Sequence, residues 1–177
     1  SACLYLIKRN FLTDNDISFY DGIIHEDNLY TFLVFMHAER VGFVNRPLYL
    51  RRLREESIMT NEKNFENVYG YFICGIQMLE YLNEHAETIS TGIRSASRNM
   101  RIMFENATDI YMDLDKIEKR RVSELDPYEK EMFELLVRRN AANNMKLKKN
   151  KKELEKIKKS KSYKFARTLS KTVKLGK

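Results

Sequence analysis

The stretch GIIHEDNLYTFLVFMHA, residues 22–38, decides how the first part of the chain folds. Three ionisable side chains, His25, Glu26 and Asp27, stand directly before an apolar run. Within that run, apolar residues recur at the i, i+3, i+4 and i+7 positions of a helix, namely Leu29, Phe32, Leu33 and Met36. This spacing predicts an amphipathic helix over 27–38 whose apolar stripe faces a core.

The three ionisable residues before this helix allow three interpretations. Carboxylates in the first turn cap free amides and interact favourably with the helix dipole, which stabilises an exposed helix end by about 0.3–1 kcal/mol. A metal site would need further ligands from elsewhere, because three adjacent side chains at a helix start cannot all face one ion. The third interpretation is chemical, with a carboxylate that accepts a proton from a substrate hydroxyl. The residues taken alone favour capping.

The segments on either side of this helix are predicted to include strands. Upstream, residues 3–12 (CLYLIKRNFL) indicate a strand or a short helix followed by a polar turn. Downstream, two β-branched and aromatic runs at 41–44 and 48–50 predict short strands.

Beyond Thr60 the pattern is that of long helices. Two apolar stripes, over 65–79 and 93–114, are joined around 90–92 and predict an antiparallel helical hairpin. Asp126-Pro127 predicts the start of another helix, since Asp caps a helix and Pro is favoured at its first position. We expect the apolar face of that helix to carry Leu135 and Leu136, with Leu147 as a further candidate.

Charge is divided unevenly along the chain. The 177 residues have a net charge of +7, yet residues 146–177 hold 14 basic and 2 acidic side chains, which leaves −5 for residues 1–145. The basic segment needs anionic partners or stays solvated. The spacing of Cys3 and Cys74 suits neither a disulfide framework nor a metal site and indicates buried thiols in a reducing compartment. No apolar run approaches the roughly 20 residues of a membrane-spanning helix.

A series of residues within about 3–60 resembles the acceptor half of a family 2 glycosyltransferase of GT-A fold. The matching elements, in order, are Leu4-Tyr5, Lys8-Arg9-x-Phe11-Leu12, Ile17-x-Phe19, Gly22-Ile23-x-His25-Glu26-Asp27, Arg40-Val41, Pro47-Leu48-Tyr49-x-Arg51 and Arg54-x-x-Ser57-Ile58-Met59-Thr60. The resemblance implies an inverting enzyme that moves a sugar from a nucleotide donor to an acceptor hydroxyl in one displacement.

The resemblance also implies roles for individual residues. Asp27 matches the position of the general base, with Glu26 beside it as the second catalytic carboxylate. Substrate or diphosphate contacts are expected from His25, Tyr49, Arg51 and Arg54, because guanidinium groups match phosphate oxygens in geometry. The alternatives are a surface turn for the histidine and a solvated salt-bridge patch for the arginines.

The nucleotide-binding half of that family, which ends in a D-x-D motif, is expected to lie before Ser1. We therefore expect this chain to be a C-terminal fragment or a truncated homologue, inactive alone and without a metal site or cofactor of its own. The full-length enzyme is expected to use a divalent cation, Mg²⁺ or Mn²⁺. Two D-x-D strings, Asp14-Asn15-Asp16 and Asp113-Leu114-Asp115, are interpreted as solvated polar residues.

The end of the chain has the pattern of a helix that lies in a membrane surface. Apolar residues of the segment 160–177 fall on one helical face, and basic residues line the others: Lys164, Arg167, Lys171 and Lys174. Each basic residue near an anionic membrane contributes about 1 kcal/mol. A disordered tail is the alternative, and nucleic acid is disfavoured because few aromatics are present to stack on bases. Heptad-like spacing of Leu147, Leu154 and Ile157 suggests a short coiled-coil contact and a homo-oligomer.

Together these patterns predict an α+β, predominantly helical fold: a partial GT-A acceptor half with short strands, a helical hairpin and a long basic C-terminal helix. The expected parts are the acceptor side at 1–60, a helical region at 61–126, and a helix with a Lys-rich amphipathic tail at 127–177. The predicted function is sugar transfer to a glycan or lipid-linked acceptor in bacterial cell-surface polysaccharide synthesis, in the cytoplasm at the inner face of the membrane. The alternative is a non-catalytic helical adaptor whose basic tail binds membrane or nucleic acid.

Overall fold

The computed structural model describes residues 2–50, 62–87, 89 and 92–160. Seven α-helices occur in these ranges: α1 Arg9–Asp14, α2 Glu26–His37, α3 Phe65–Glu84, α4 Ile93–Asp113, α5 Lys116–Arg120, α6 Pro127–Phe133 and α7 Arg139–Lys159. Short 3₁₀ turns at Ala2–Leu4 and Arg121–Glu124 and a π-helical turn at Glu134–Arg138 complete the described elements. No strand is present in the described ranges, so the predicted α+β class is wrong and the described chain is helical.

The runs at 41–44 and 48–50 were the predicted strands, and both are irregular. A strand requires a neighbouring strand to pair its N–H and C=O groups, and the described residues supply none. The side chains of this segment are also exposed, to 88% for Phe43 and 94% for Leu50. Composition suited to a strand therefore does not produce one here. The stretch 3–12 was predicted to be a strand or a short helix. It contains part of a 3₁₀ turn and most of α1, so the helical prediction is the correct one.

Helix α2 occupies nearly the range predicted from its periodicity. It buries Leu29 and Phe32 against α3 and α4, while the next two residues of the predicted stripe, Leu33 and Met36, are half-buried. Helix α2 also packs its other side on the first residues of the chain, through Tyr30, Val34 and the buried Ile17. The helix is thus held between the N-terminal segment and the α3–α4 pair.

Helices α3 and α4 form the predicted antiparallel hairpin. Near one end, Leu82 of α3 shares a buried cluster with Ala96 of α4, and near the other end Phe65 shares one with Leu114. Between these ends, a side chain at Gly75 would overlap the ring of Phe104, at 2.7 Å from the nearest ring carbon. The glycine therefore lets the two helices approach closely.

The helix predicted to start at Asp126-Pro127 begins there. The Asp126 carboxylate accepts the N–H of Glu129 at 2.9 Å, and the helix continues through the π turn into α7. Its buried residues are Phe133, Val137 and Ala141. The predicted inward residues Leu135 and Leu147 are exposed and Leu136 is half-buried, because the face that meets the α3–α4 pair repeats every four residues across the π turn.

Phe133 is the centre of an aromatic cluster that joins α6 to the hairpin. Its ring lies 5.2 Å from that of Phe72, 5.3 Å from that of Tyr111 and 6.0 Å from that of Phe65, all in edge-on or tilted contact. Beyond this cluster α7 leaves the core, and every side chain from 145 to 160 is exposed. None of the described helices has the length and apolar character needed to cross a membrane.

The fold predicts that a side chain at Gly70 of α3 destabilises the protein. A Cβ atom there would overlap the backbone carbonyl of Ile24, which cannot rotate away as a side chain can. We expect Gly70→Ala to lower the free energy of unfolding by roughly 1–3 kcal/mol, measured by urea denaturation. Gly42→Ala is the matched control, because no atom lies within 4 Å of its added Cβ. Equal stability of the two variants would contradict the close approach.

Candidate functional site

The loop before α2 is fastened to α3 by its backbone. His25, the N-cap residue of α2, has a left-handed φ of 70°. Its carbonyl oxygen accepts hydrogen bonds from the N–H of Asn28 at 3.0 Å, from the Asn28 side-chain amide at 2.9 Å and from the Cys74 thiol at 3.5 Å. The start of α2 is therefore fixed by contacts to its own first turn and to α3.

The His25 ring is held between two side chains of α3. It stacks on Tyr71 with ring centroids 4.1 Å apart, and its Nε2 lies 3.1 Å from the amide nitrogen of Asn67. The Asn67 amide is oriented by a capping box, in which its Oδ1 accepts the backbone N–H of Asn64 at 3.0 Å. Asn67 thus presents an N–H to His25, so Nε2 is an acceptor and the ring proton sits on Nδ1.

Electrostatics also keep this ring neutral. Burial is the main cause that lowers the pKa of His25 below 6.5, and the charge of Lys63 lowers it further. The charges of Asp27 and Glu26 act in the opposite direction without overcoming burial. A neutral His25 can donate one hydrogen bond from Nδ1, but it does not bring a positive charge to a diphosphate.

Asp27 faces a cleft between α2 and α4. The cleft has a volume of about 300 Å³, and its polar lining includes Asp27, Thr31, Ser95 and Asn99. Met36, Met78 and Met103 contribute its apolar lining. One carboxylate oxygen of Asp27 accepts the side-chain amide of Asn28 at 3.3 Å. Glu26 does not line this cleft, so the structure distinguishes the two adjacent carboxylates.

Thr31 lies one helical turn after Asp27 and lines the same cleft. Its hydroxyl oxygen is buried and has no hydrogen-bond partner among the residues that the structure describes. A buried hydroxyl without a partner is unfavourable by about 1–3 kcal/mol. The oxygen is closed to solvent, so a ligand in the cleft reaches it only if the Thr31 side chain rotates.

The α3 residues behind Asp27 are unreactive at neutral pH. Burial raises the pKa of the Cys74 thiol to about 12, so the sulfur is not a thiolate and does not act as a nucleophile. Burial, with a smaller contribution from the charge of Asp27, also raises the pKa of Tyr71. The prediction of buried thiols is correct for Cys74 and wrong for Cys3, which is exposed.

The remaining predicted site residues are not brought to this cleft. Tyr49 is half-exposed in the irregular segment after α2 and does not line the cleft. Arg51, Arg54, Lys164, Arg167, Lys171 and Lys174 lie outside the described residues, so their predicted contacts are not tested. Within the described ranges, no group of three or more His, Cys, Asp or Glu residues could hold a metal ion.

The two D-x-D strings have the structural character expected of them. Asp14 and Asp16 are exposed around the end of α1. Asp113 is exposed at the last position of α4, and Asp115 caps α5 by accepting the N–H groups of Ile117 and Glu118, both at 2.8 Å. Both strings are explained by solvation and capping.

Several residues of the site were not identified from the sequence. Asn67 stands before the largely apolar run 68–76 of α3, and Tyr71 and Cys74 follow it at the i+4 and i+7 positions. This spacing was the available signal. Ser95 and Asn99 carry no comparable signal, because isolated polar residues are ordinary at the exposed start of a helix.

Comparison of the chain with protein-family models, with curated proteins and with solved structures finds no match. The glycosyltransferase resemblance therefore depends on the quoted residues and stays a prediction.

The neutral His25 predicts a specific dependence of stability on pH. Because the folded state holds the His25 pKa below 6.5, the unfolded state binds its proton first as the pH falls. The free energy of unfolding should be highest above about pH 6.5 and decline below it. His25→Asn keeps a residue that tolerates a positive φ and removes the titration. We expect urea denaturation at pH 8 and pH 5.5 to show a smaller loss in this variant.

His37 also has a pKa lowered by burial, with a further effect of His85, and it is present in both proteins. The difference in pH dependence of the unfolding free energy between the unaltered chain and His25→Asn therefore reports on His25 alone. Identical profiles would show that the ring is not held neutral by its contacts to α3.

Proposed function

We propose that this chain is the acceptor-side part of an inverting, nucleotide-sugar-dependent glycosyltransferase, with Asp27 as its general base. The observation that carries the proposal is that Asp27, and not Glu26, lines the cleft between α2 and α4. The motif order quoted above supplies the family context. The proposal concerns the chemistry of the cleft and does not depend on the strands that the sequence led us to expect.

The proposed reaction is a single displacement at the sugar anomeric carbon. Asp27 accepts the proton of the acceptor hydroxyl, the hydroxyl oxygen forms a bond to the anomeric carbon, and the bond from that carbon to the donor diphosphate breaks. The nucleoside diphosphate leaves with the bonding electron pair. A positioned carboxylate contributes roughly 10²- to 10⁴-fold to such a step.

Neighbouring residues are assigned positioning roles in this proposal. Asn28 donates to the Asp27 carboxylate and to the His25 carbonyl, and so fixes the carboxylate relative to the start of α2. Ser95 and Asn99 offer hydroxyl and amide groups to the hydroxyls of an acceptor sugar. Ordered donors and acceptors around the base hold the acceptor in a reactive orientation.

The donor would be bound by a nucleotide-binding half that is not part of this chain. We assign the divalent cation, Mg²⁺ or Mn²⁺, to that half, together with most of the diphosphate contacts. The large exposed side chains of the first fifty residues support a further protein surface over this region, among them Leu6 at 100%, Phe43 at 88% and Leu50 at 94%. The chain alone is then expected to be inactive.

The test of the proposal is Asp27→Asn in the full-length enzyme. This change keeps the shape of the side chain and removes its ability to accept a proton. We expect kcat to fall by roughly 10²- to 10⁴-fold while donor binding, measured by calorimetry, is unchanged.

Asp14→Asn is the matched control, because Asp14 is exposed at the end of α1 and belongs to one of the D-x-D strings. This variant should keep full activity. Unchanged turnover in Asp27→Asn, or an equal loss in Asp14→Asn, would reject Asp27 as the base.

The second candidate function is a non-catalytic helical adaptor, and α7 is the observation that favours it. From Met145 to Lys159 all side chains are exposed, including eight lysines and the apolar residues Leu147, Leu154 and Ile157. An exposed basic helix with apolar residues suits the surface of an anionic membrane. The same property would make the transferase peripheral to the inner face of the membrane, and both candidates therefore share this partner.

Membrane binding is tested by removing residues 146–177, which include the exposed lysines of α7. We expect the intact chain to sediment with vesicles that contain phosphatidylserine at low salt and to be released at high salt. The shortened chain should sediment less. Vesicles of neutral phosphatidylcholine are the control, and sedimentation that does not change with truncation or lipid charge would exclude the basic end as a membrane anchor.

A further inference from the structure

A second and larger groove lies on the other flank of α4, between α4 and α7. Its volume is about 970 Å³. The α4 wall carries Arg94, Arg98 and Arg101 with Ser97, and the α7 wall carries Asn140 and Asn144. Apolar side chains also line it, namely Leu79, Met100, Phe104 and Leu136. These residues take no part in the Asp27 cleft or in the proposed membrane contact.

The positive charge of this groove is largely uncompensated. Arg101 pairs with Glu105 at 3.5 Å, and both side chains are mostly exposed. Neither Arg94 nor Arg98 has an ion-pair partner among the described residues. The groove thus holds three guanidinium groups and one carboxylate along about 16 Å of helix.

The charge order along α4 opposes the helix dipole. Its three arginines lie in the N-terminal half, while Glu105, Asp109 and Asp113 occupy the C-terminal half. Helices are stabilised by the reverse arrangement, and because the dipole acts within the first and last turns, Arg94 and Asp113 are the residues that it disfavours. Natural proteins break such local rules at functional sites. Arg94 is therefore better explained by a ligand than by the stability of α4.

The lining of the groove indicates the chemistry of that ligand. Guanidinium groups form paired hydrogen bonds with carboxylate or phosphate oxygens. Asparagine amides and the Ser97 hydroxyl bind sugar hydroxyls, and the apolar lining contacts the C–H faces of sugar rings. Single-stranded nucleic acid would instead require exposed aromatics for stacking, and the aromatic residue of the groove, Phe104, is buried.

We infer that the groove between α4 and α7 binds an anionic glycan, one that carries carboxylate or phosphate groups. Residues of the same turns of α4 alternate between the two sites, with Ser95 and Asn99 at the Asp27 cleft and Arg94 and Arg98 at the groove. A glycan held by the arginines therefore lies across α4 from the proposed base. This inference deepens the proposed transferase function, on which it rests for the role of acceptor, whereas binding itself requires no catalysis.

The test measures glycan binding by the 177-residue chain in the absence of any donor. The probes are polygalacturonate, phosphorylated dextran and unmodified dextran, titrated by calorimetry at low salt. We expect one or both anionic polymers to bind, and the tighter of the two identifies the preferred anion. Arg94→Gln/Arg98→Gln/Arg101→Gln should weaken that binding roughly tenfold or more.

The matched control is Lys152→Gln/Lys156→Gln/Lys159→Gln, which removes the same charge with the same i, i+4, i+7 spacing from the exposed end of α7. It should weaken binding much less. Circular dichroism verifies folding, and Arg98→Gln alone provides a milder variant, since its side chain is exposed. Equal losses in the two triple variants would overturn the inference, because the effect would then be one of net charge.

Two further results would also overturn it. One is binding of unmodified dextran as tight as that of the anionic polymers. The other is tighter binding of poly(U) RNA with the same dependence on the arginines, which would make nucleic acid the ligand. Glycan binding is measured without a donor and turnover of Asp27→Asn is measured with one, so failure of the glycan site and failure of the proposed base are separate results.

Discussion

The structure depends on the close approach of the loop before α2 to helix α3 at Gly70. A backbone carbonyl occupies the space that any other residue at position 70 would fill. One turn to either side, Asn67 and Cys74 hold the ring and the carbonyl of His25, and Tyr71 stacks on the ring. The position of Asp27, two residues after His25, follows from these contacts. A single face of α3 thus sets where α2 begins.

Helix α4, the opposite wall of the Asp27 cleft, is also positioned by α3, through a different contact. The missing side chain of Gly75 in α3 leaves room for the Phe104 ring of α4. Phe133 of α6 packs on Phe72 of α3 and Tyr111 of α4. Helix α4 therefore has a fixed position against α3, and its first turns meet α2 across the cleft. Both walls, α2 and α4, pack against the same buried helix, α3. Residues far apart in sequence therefore form a cleft of defined shape.

Local signals in the sequence were sufficient for most helices. The periodicity of α2 and the Asp126-Pro127 cap predicted these elements to within a residue or two, because periodicity and capping involve neighbours in the chain. Strands were wrongly predicted at 41–44 and 48–50, because pairing depends on a partner elsewhere. The inward positions of α6 and α7 were partly wrong, since the π turn is not visible in an apolar pattern. Asp27, which the sequence singled out, lines the cleft, but the other cleft wall arises from tertiary packing of ordinary polar residues.

The arrangement of α4 and α7 brings like charges to one end of the molecule. Phe133 contacts Tyr111 near the C-terminal end of α4, while Asn144, three turns later, lines the groove with Arg94. The two helices therefore run antiparallel, and the lysines after Asn144 continue towards the arginine-bearing end of α4. Repulsion between these cations acts against folding, and so does the position of Arg94 in the first turn of α4, where the helix dipole disfavours positive charge. An anionic ligand in the groove would reduce both effects. The Asp27 cleft lies at this end of α4, so the electrostatic field that destabilises the free chain is also the field that would draw an anionic acceptor towards the proposed base.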